Sequence, residues 1–225
     1  MPAERLAAYP EKLSAAEGAA IWMQYLTAYG ALVWHGKVAK GDFVVITAAS
    51  SSVGLAAIQI VKAEGGISIA TTRRSDKREA LLAQGADYVI ATEEEDLEAR
   101  VQEITAGKLA RIVFDPIAGS FVEKLATITA DHGTIYEYGA LSLEPTPFPL
   151  MQALMKNLTI QGYTLHGIVA DPEGFKTAKQ YVFDRLADGR FHPTIAKVFP
   201  FAQTQEAYTY LASNAQIGKV VITIP

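Results

Sequence analysis

Along most of the chain, short apolar runs alternate with stretches whose apolar residues recur at helical spacing. Phe43-Val44-Val45-Ile46-Thr47 is continuously apolar up to its last residue and predicts a strand buried on both faces. Val53, Ala56, Ala57, Ile60 and Val61 then fall on one helical stripe, predicting a helix over 53–63. The alternation continues with a strand at 67–71, a helix at 75–82 with Ser75 as N-cap, and a strand at 88–91. An amphipathic helix at 97–104 is ended by Gly107, and a strand at 111–115 leads to a helix near 121–129. A strand at 133–138, a helix near 150–156 and a strand at 158–163 complete the series. Strands alternating with helices predict an α/β doubly wound parallel sheet of about six strands, covered on both faces. Right-handed crossovers then bring the strands' carboxyl ends to one edge, where ligands bind.

Two segments flank that sheet. Residues 15–34 read as a helix, with Ser14 and Glu17 forming a capping box. A helix near 172–186 is followed by Val198-Phe199, a helix at 203–213 and a strand at 219–224. The expected division is a sheet domain at 14–190 and a β-rich return segment at 191–225, too small to build a core of its own.

Composition narrows the function classes. Half of the 225 residues are apolar and a fifth are charged, which is globular. No apolar run approaches the ~20 residues that span a bilayer, and Met1-Pro2-Ala3-Glu4-Arg5 lacks the apolar core of a signal peptide. The expectation is no membrane association and a cytoplasmic location. There is no cysteine, which excludes disulfides and thiolate metal sites and fits a reducing compartment. Net charge is −4 with no basic stripe, so no nucleic-acid partner is expected. His35, His132, His166 and His192 show no ligand spacing and read as surface or loop residues; no metal is expected. The run Glu93-Glu94-Glu95-Asp96 precedes a helix, where acids favour the helix dipole.

The chemistry-bearing stretch joins the first strand to its helix: Thr47-Ala48-Ala49-Ser50-Ser51-Ser52-Val53-Gly54. A Rossmann-type fold places a dinucleotide pyrophosphate here, on backbone amides at a helix N-terminus. The usual three-glycine pattern is reduced to Gly54, and serines hold the earlier places, so a plain helix cap is an equal reading. The second strand runs into Thr71-Thr72-Arg73-Arg74-Ser75-Asp76-Lys77. An acid at this point meets a free ribose 2′-hydroxyl; Arg73, with Lys77 one turn on, suits a 2′-phosphate instead. The competing readings are a solvated basic turn, or Asp76 pairing with Arg73 or Lys77. Tyr138 either faces the pocket or packs.

The ordered segments Tyr25-Leu26-Thr27-Ala28-Tyr29-Gly30, Ala49 to Gly54, Gly85-Ala86-Asp87, Phe114-Asp115-Pro116-Ile117-Ala118-Gly119, Tyr138-Gly139-Ala140 and Gly218-Lys219-Val220-Val221 resemble the medium-chain dehydrogenase/reductase superfamily. The nearest branches are its zinc-independent quinone oxidoreductases and enoyl reductases. The resemblance implies NADP(H) and hydride transfer to a small molecule, a quinone or an α,β-unsaturated carbonyl. It implies Thr27, Ile117, Gly139 and Ala140 near the nicotinamide, and Ser51, Ser52, Val53 and Gly54 at the pyrophosphate. It also implies Thr72, Arg73 and Lys77 at the 2′-phosphate, with Thr92 and Asn214 as further cofactor contacts. No catalytic residue is identified. Relatives dimerise through the edge strand, here 158–163, and the loop 144–149 would border the substrate cleft or that contact.

Departures carry information as well. Zinc-dependent members place a cysteine where this chain has Met23, and Thr92 stands where relatives often carry a tyrosine. The family's N-terminal chaperonin-10-like substrate domain has no counterpart in this sequence. The alternative expectations are therefore a cofactor-binding or dimerisation module without turnover, or an alcohol dehydrogenase-like protein without zinc.

Overall fold

The computed structural model describes residues 7–224; the Met1–Arg5 stretch, Leu6 and Pro225 lie outside the described residues. Strands β1 (Phe43–Ile46), β2 (Ile67–Thr72), β3 (Tyr88–Ala91), β4 (Ala110–Asp115), β5 (Thr129–Glu137) and β6 (Thr159–Gly162) form one sheet. Its order is β3-β2-β1-β4-β5-β6, and every neighbouring pair is parallel. Parallel pairing requires crossovers, supplied by α3 (Ser52–Ala63), α4 (Arg78–Ala83), α5 (Leu97–Thr105), α6 (Phe121–Ile128) and α7 (Leu150–Lys156). Alternate residues of one strand serve opposite layers, because side chains alternate across a sheet. Val44, Ile46, Ile112 and Phe114 pack with Leu55, Ile58 and Val61 of α3 on one face. Val45, Val113 and Ile135 pack with Leu97, Val101 and Leu125 on the other. This is a Rossmann-type doubly wound α/β fold. The chain reverses its direction of travel through the sheet between β1 and β4, and the loops leaving those strands part to form a crevice.

The helix expected at 15–34 is divided into α1 (Ala15–Ala19), α2 (Trp22–Tyr29) and a π-helical segment Gly30–His35. The capping box is present: Ser14 Oγ accepts from the Glu17 amide at 3.3 Å, and the Glu17 carboxylate accepts from the Ser14 amide at 2.8 Å. At the start of the π segment, the Tyr163 hydroxyl lies where a Gly30 Cβ would be. It donates to the Leu26 carbonyl at 3.5 Å. A side chain pressed into the ladder is an identifiable cause of such irregularity.

Ser75 is not the N-cap of a simple helix. A 3₁₀ turn, Ser75–Lys77, precedes α4, and the Ser75 amide is itself capped by the Glu94 carboxylate at 3.2 Å. β5 begins four residues earlier than expected, at Thr129, because α6 runs into it without a loop. An irregularity with His132 at φ +59° separates Thr129 from the pairing that resumes at Thr134.

The C-terminal part comprises α8 (His166–Ala170), α9 (Pro172–Ala187), β7 (Ile195–Pro200), α10 (Thr204–Ala212) and β8 (Lys219–Thr223). β7 and β8 pair in parallel as a separate two-stranded sheet. Gln59 of α3 ties this part down. Its Oε1 accepts from the Tyr25 hydroxyl at 2.9 Å and the His192 amide at 3.0 Å, and its Nε2 donates to the His192 carbonyl at 3.0 Å. Phe191 stacks on Tyr25 with centroids 5.0 Å apart.

Candidate cofactor site

The turn between β1 and α3 opens onto the crevice. Ala48 takes φ +44°, a left-handed conformation more often left to glycine. Ser51 Oγ accepts from the Gly54 amide at 3.0 Å, so the serine turn is a helix cap. The cap reading and the phosphate reading coexist: the Val53 amide meets no acceptor among the described residues, while the Ser52 amide turns toward the Gly218 carbonyl in an isolated parallel bridge between Ser51 and Gly218. Those amides sit at the positive end of a twelve-residue helix. Gly54 is required by contact: a Cβ there would lie 2.6 Å from both Cα and O of Ala49. The remaining glycine thus performs the close helix–strand packing expected of the last glycine in such turns.

At the end of β2, Thr92 donates its amide to the Thr72 carbonyl at 2.9 Å and its hydroxyl to the same oxygen at 3.3 Å. Arg73 and Arg74 are exposed. Asp76 forms no ion pair with Arg73 or Lys77 among the described residues. Lys77 is differently placed from Arg73. Its Nζ donates to Ser50 Oγ at 3.2 Å, the Asn214 carbonyl at 2.6 Å and the Gln216 carbonyl at 3.1 Å. An ammonium has three donors, and all three are committed. Partial burial lowers its pKa from the ordinary lysine value, against the pull of Asp76. Lys77 therefore clamps the 214–218 loop onto the β1–α3 turn, where the Gly218 amide also meets the Ser50 carbonyl at 2.9 Å. The structure thus brings Ser51, Ser52, Val53, Gly54, Lys77 and Asn214 together, with Thr72, Arg73 and Thr92 beside them.

The acidic run is divided among separate tasks. Glu94 caps Ser75, Glu95 pairs with Arg78 and Arg100, and Asp96 caps α5 by accepting from the Ala99 amide at 2.8 Å.

Across the crevice, the β4 and β5 ends carry Ile117, Gly139 and Ala140. The Asp115 carboxylate, fully buried, accepts from the Thr47 hydroxyl, the Ile117 amide at 2.9 Å and the Ala118 amide at 2.7 Å. The loop so shaped accepts the next one: Leu141 and Ser142 donate to the carbonyls of Pro116 and Ile117 at 2.9 and 2.8 Å. Gly139 leaves room for Pro116, whose Cβ would stand 2.9 Å from a side chain there. Thr27, nearly buried on α2, donates its hydroxyl to the Met23 carbonyl at 2.6 Å. It reaches this end of the sheet because its neighbour Leu26 meets Tyr163, whose amide donates to Glu137 at 2.9 Å. Tyr138 packs: its ring stacks on Phe114 at 3.9 Å, and burial pushes its phenol far up.

Sequence reasoning passed over Glu137. It is the register partner of Asp115, and neither of its buried carboxyl oxygens meets a donor among the described residues. Burial, then the Asp115 charge, pushes its pKa up to about 8. The available signal was a charged residue inside the apolar run Ile135-Tyr136-Glu137-Tyr138.

The comparisons with known proteins agree with this geometry. A family model described as zinc-binding dehydrogenase matches residues 52–183, more than half of the chain. The chain is 29% identical over 218 residues to a phenolphthiocerol/phthiocerol polyketide synthase of Mycobacterium tuberculosis, covering 96% of this chain and 10% of that protein. A solved NAD-dependent alcohol dehydrogenase is 31% identical, with a TM-score of 0.89 over 100% of this chain and 63% of its own. The Escherichia coli quinone oxidoreductase, solved with NADPH, is 29% identical, with a TM-score of 0.90 over 98% of this chain and 69% of its own. This chain therefore spans about a tenth of the polyketide synthase and about two thirds of either solved enzyme. The zinc in the family's description does not fit the residues present. The chain has no cysteine, and no group of three or more His, Asp or Glu among the described residues is placed to hold a metal. The order of the sheet, the turn at Gly54 and the match over 52–183 point one way: the chain belongs to the zinc-binding dehydrogenase family of the medium-chain dehydrogenase/reductase superfamily.

Proposed function

We propose that this chain holds NADP(H) in the crevice between β1 and β4 and orients it for reduction of a quinone or an α,β-unsaturated carbonyl. The observation that carries the reading is the reversal of strand order at β1/β4, with the free Val53 amide at the helix N-terminus on one side and exposed Arg73 at the end of β2. The NADPH found in the E. coli quinone oxidoreductase supports it. Bound there, the dihydronicotinamide supplies the hydride chemistry. In this reading Ser51, Ser52, Val53 and Gly54 line the pyrophosphate, with the Val53 amide free to donate to it. Thr72 and Arg73 take the 2′-phosphate, with Thr92 and Asn214 beside the adenosine. Lys77 reaches that phosphate only by releasing one of its three acceptors. Ile117, Gly139, Ala140 and Thr27 flank the nicotinamide end. Residues 14–190 form the cofactor unit and 191–225 the return segment of a substrate domain.

Titration by dihydronicotinamide fluorescence tests the cofactor, with NADPH expected to bind and NADH more weakly. NADPH consumption with a panel of quinones and enones tests the acceptor. Running both with any longer natural form of the protein separates binding from turnover.

A second reading is cofactor binding without turnover. Tight NADPH binding with no consumption across the panel would establish it. Oxidation of simple alcohols with NAD would instead favour an alcohol dehydrogenase-like protein working without zinc.

The proposed partner is a second copy of the chain. β6 pairs with β5 alone, and α7 beside it exposes Leu150, Met151, Leu154 and Met155. A dimer is expected by sedimentation, and Leu154→Glu should yield a monomer.

A further inference from the structure

We propose that Asp115 and Glu137 share one proton, and that Glu137 is a positioning residue holding the 116–119 and 139–142 loops in place at the nicotinamide end. The role of those loops rests on the NADP(H) reading above; the carboxyl pair does not.

Strand register creates the pair. Asp115 and Glu137 are direct partners in the parallel β4–β5 pairing, so their side chains leave the same face of the sheet at its carboxyl edge. Their donor supplies are unequal. The Asp115 carboxylate takes one hydroxyl and two amides, while the Glu137 carboxyl takes no donor among the described residues, although both its side-chain oxygens are buried. Two ionised carboxylates in contact repel, and burial removes the water that would screen them. The contact is stable when a proton lies between the pair, with Glu137 donating and Asp115 accepting. Burial raises both groups, and the donors on Asp115 leave the proton to Glu137.

Among the described residues no cation offsets the charge of the pair. The charge that acts on Glu137 is that of Asp115. β1 contributes the Thr47 hydroxyl, and β6 contributes Gly162 opposite Glu137. Tyr138 and Tyr163 are neutral phenols raised by burial. Lys156 of α7 is committed to the carbonyls of Ala126, Thr127 and Thr129 at the opposite end of β5.

The pair reaches the site through backbone. Asp115 holds the Ile117 and Ala118 amides, with Ala118 in a left-handed conformation at φ +59°. Pro116 and Ile117 in turn hold Leu141 and Ser142. Ionising Glu137 sets a second negative charge against the acceptor that organises both loops. The proton uptake has a definite sign. Glu137 is raised in the folded state, so its contribution to stability is complete below its unfolded value near 4.5 and is lost as pH rises through about 8.

The test compares the wild-type chain with Glu137→Gln, which keeps the shape and removes the titration; Glu137→Met is the second variant should the amide disturb folding. Two measurements need no cofactor. The melting temperature of the variant relative to wild type should climb from pH 5 to pH 8 and level off above. Amide hydrogen exchange at 116–119 and 139–142 should match between the two proteins at pH 6.5 and be faster in wild type at pH 9.5. Where NADPH binds, wild-type affinity should fall about tenfold or more between pH 7 and pH 9.5, and the variant's should not share that fall. Parallel melting curves would show that no proton is shared. Unequal melting with identical loop exchange would refute the positioning role. Failure of NADPH to bind at any pH overturns the cofactor reading alone, because melting and exchange still decide the pair.

Discussion

The two halves of the sheet's carboxyl edge are built from opposite chemistry. On the β2–β1 side the polar groups are the free Val53 amide at a helix N-terminus and the exposed Arg73 guanidinium. On the β4–β5 side they are two carboxyls, withdrawn from solvent and turned toward each other. An exposed cation selects a ligand by attraction, which salt weakens. A buried acid network selects by shape, since its members fix loops rather than touch what lies between them. In the proposed reading, one side governs which dinucleotide binds, and the other how its reactive end is held.

Substitutions can break this contrast, beginning with the largest effect. Asp115→Ala leaves the Thr47 hydroxyl and two amides without their acceptor and Glu137 without its partner, and should cost about 4 kcal/mol in urea unfolding. Gly54→Ala drives a methyl into the Ala49 backbone and should cost roughly 2–3 kcal/mol, with both cofactors bound less well. Arg73→Ala should leave stability and NADH binding unchanged while weakening NADPH by roughly tenfold. Equal losses for both cofactors would remove the case for a 2′-phosphate site. Lys77→Met should cost about 1 kcal/mol by releasing the 214–218 loop, and should change NADPH preference less than Arg73→Ala does. A preference change as large as that of Arg73 would place Lys77 on the phosphate rather than on the loop.

Much of this was legible in the sequence alone. The continuous apolar runs and the period-3.6 stripes located the six strands of the main sheet to within a few residues, because the central strands are buried on both faces and most of the helices on one. Gly54 was identifiable as the one glycine left of the usual turn pattern, and the structure adds that a Cβ there would strike the Ala49 backbone. The π-helical end of the N-terminal helix was not legible, since Tyr163, which presses on Gly30 there, lies far along the chain. Ser75 looked like a cap because the carboxylate that caps it, Glu94, arrives from the next strand's loop.

What the sequence determined by itself was the alternation, and with it a parallel sheet, a ligand edge and the cationic end of β2. Those properties follow from local periodicity and from residue type. Tertiary structure decided how donors and acceptors are shared among residues remote in sequence. It turned Lys77 from a free cation into a clamp on a loop 137 residues away, at Asn214. It also set Asp115 beside Glu137, because strand register, and no local pattern, chooses which two carboxyls must divide one proton.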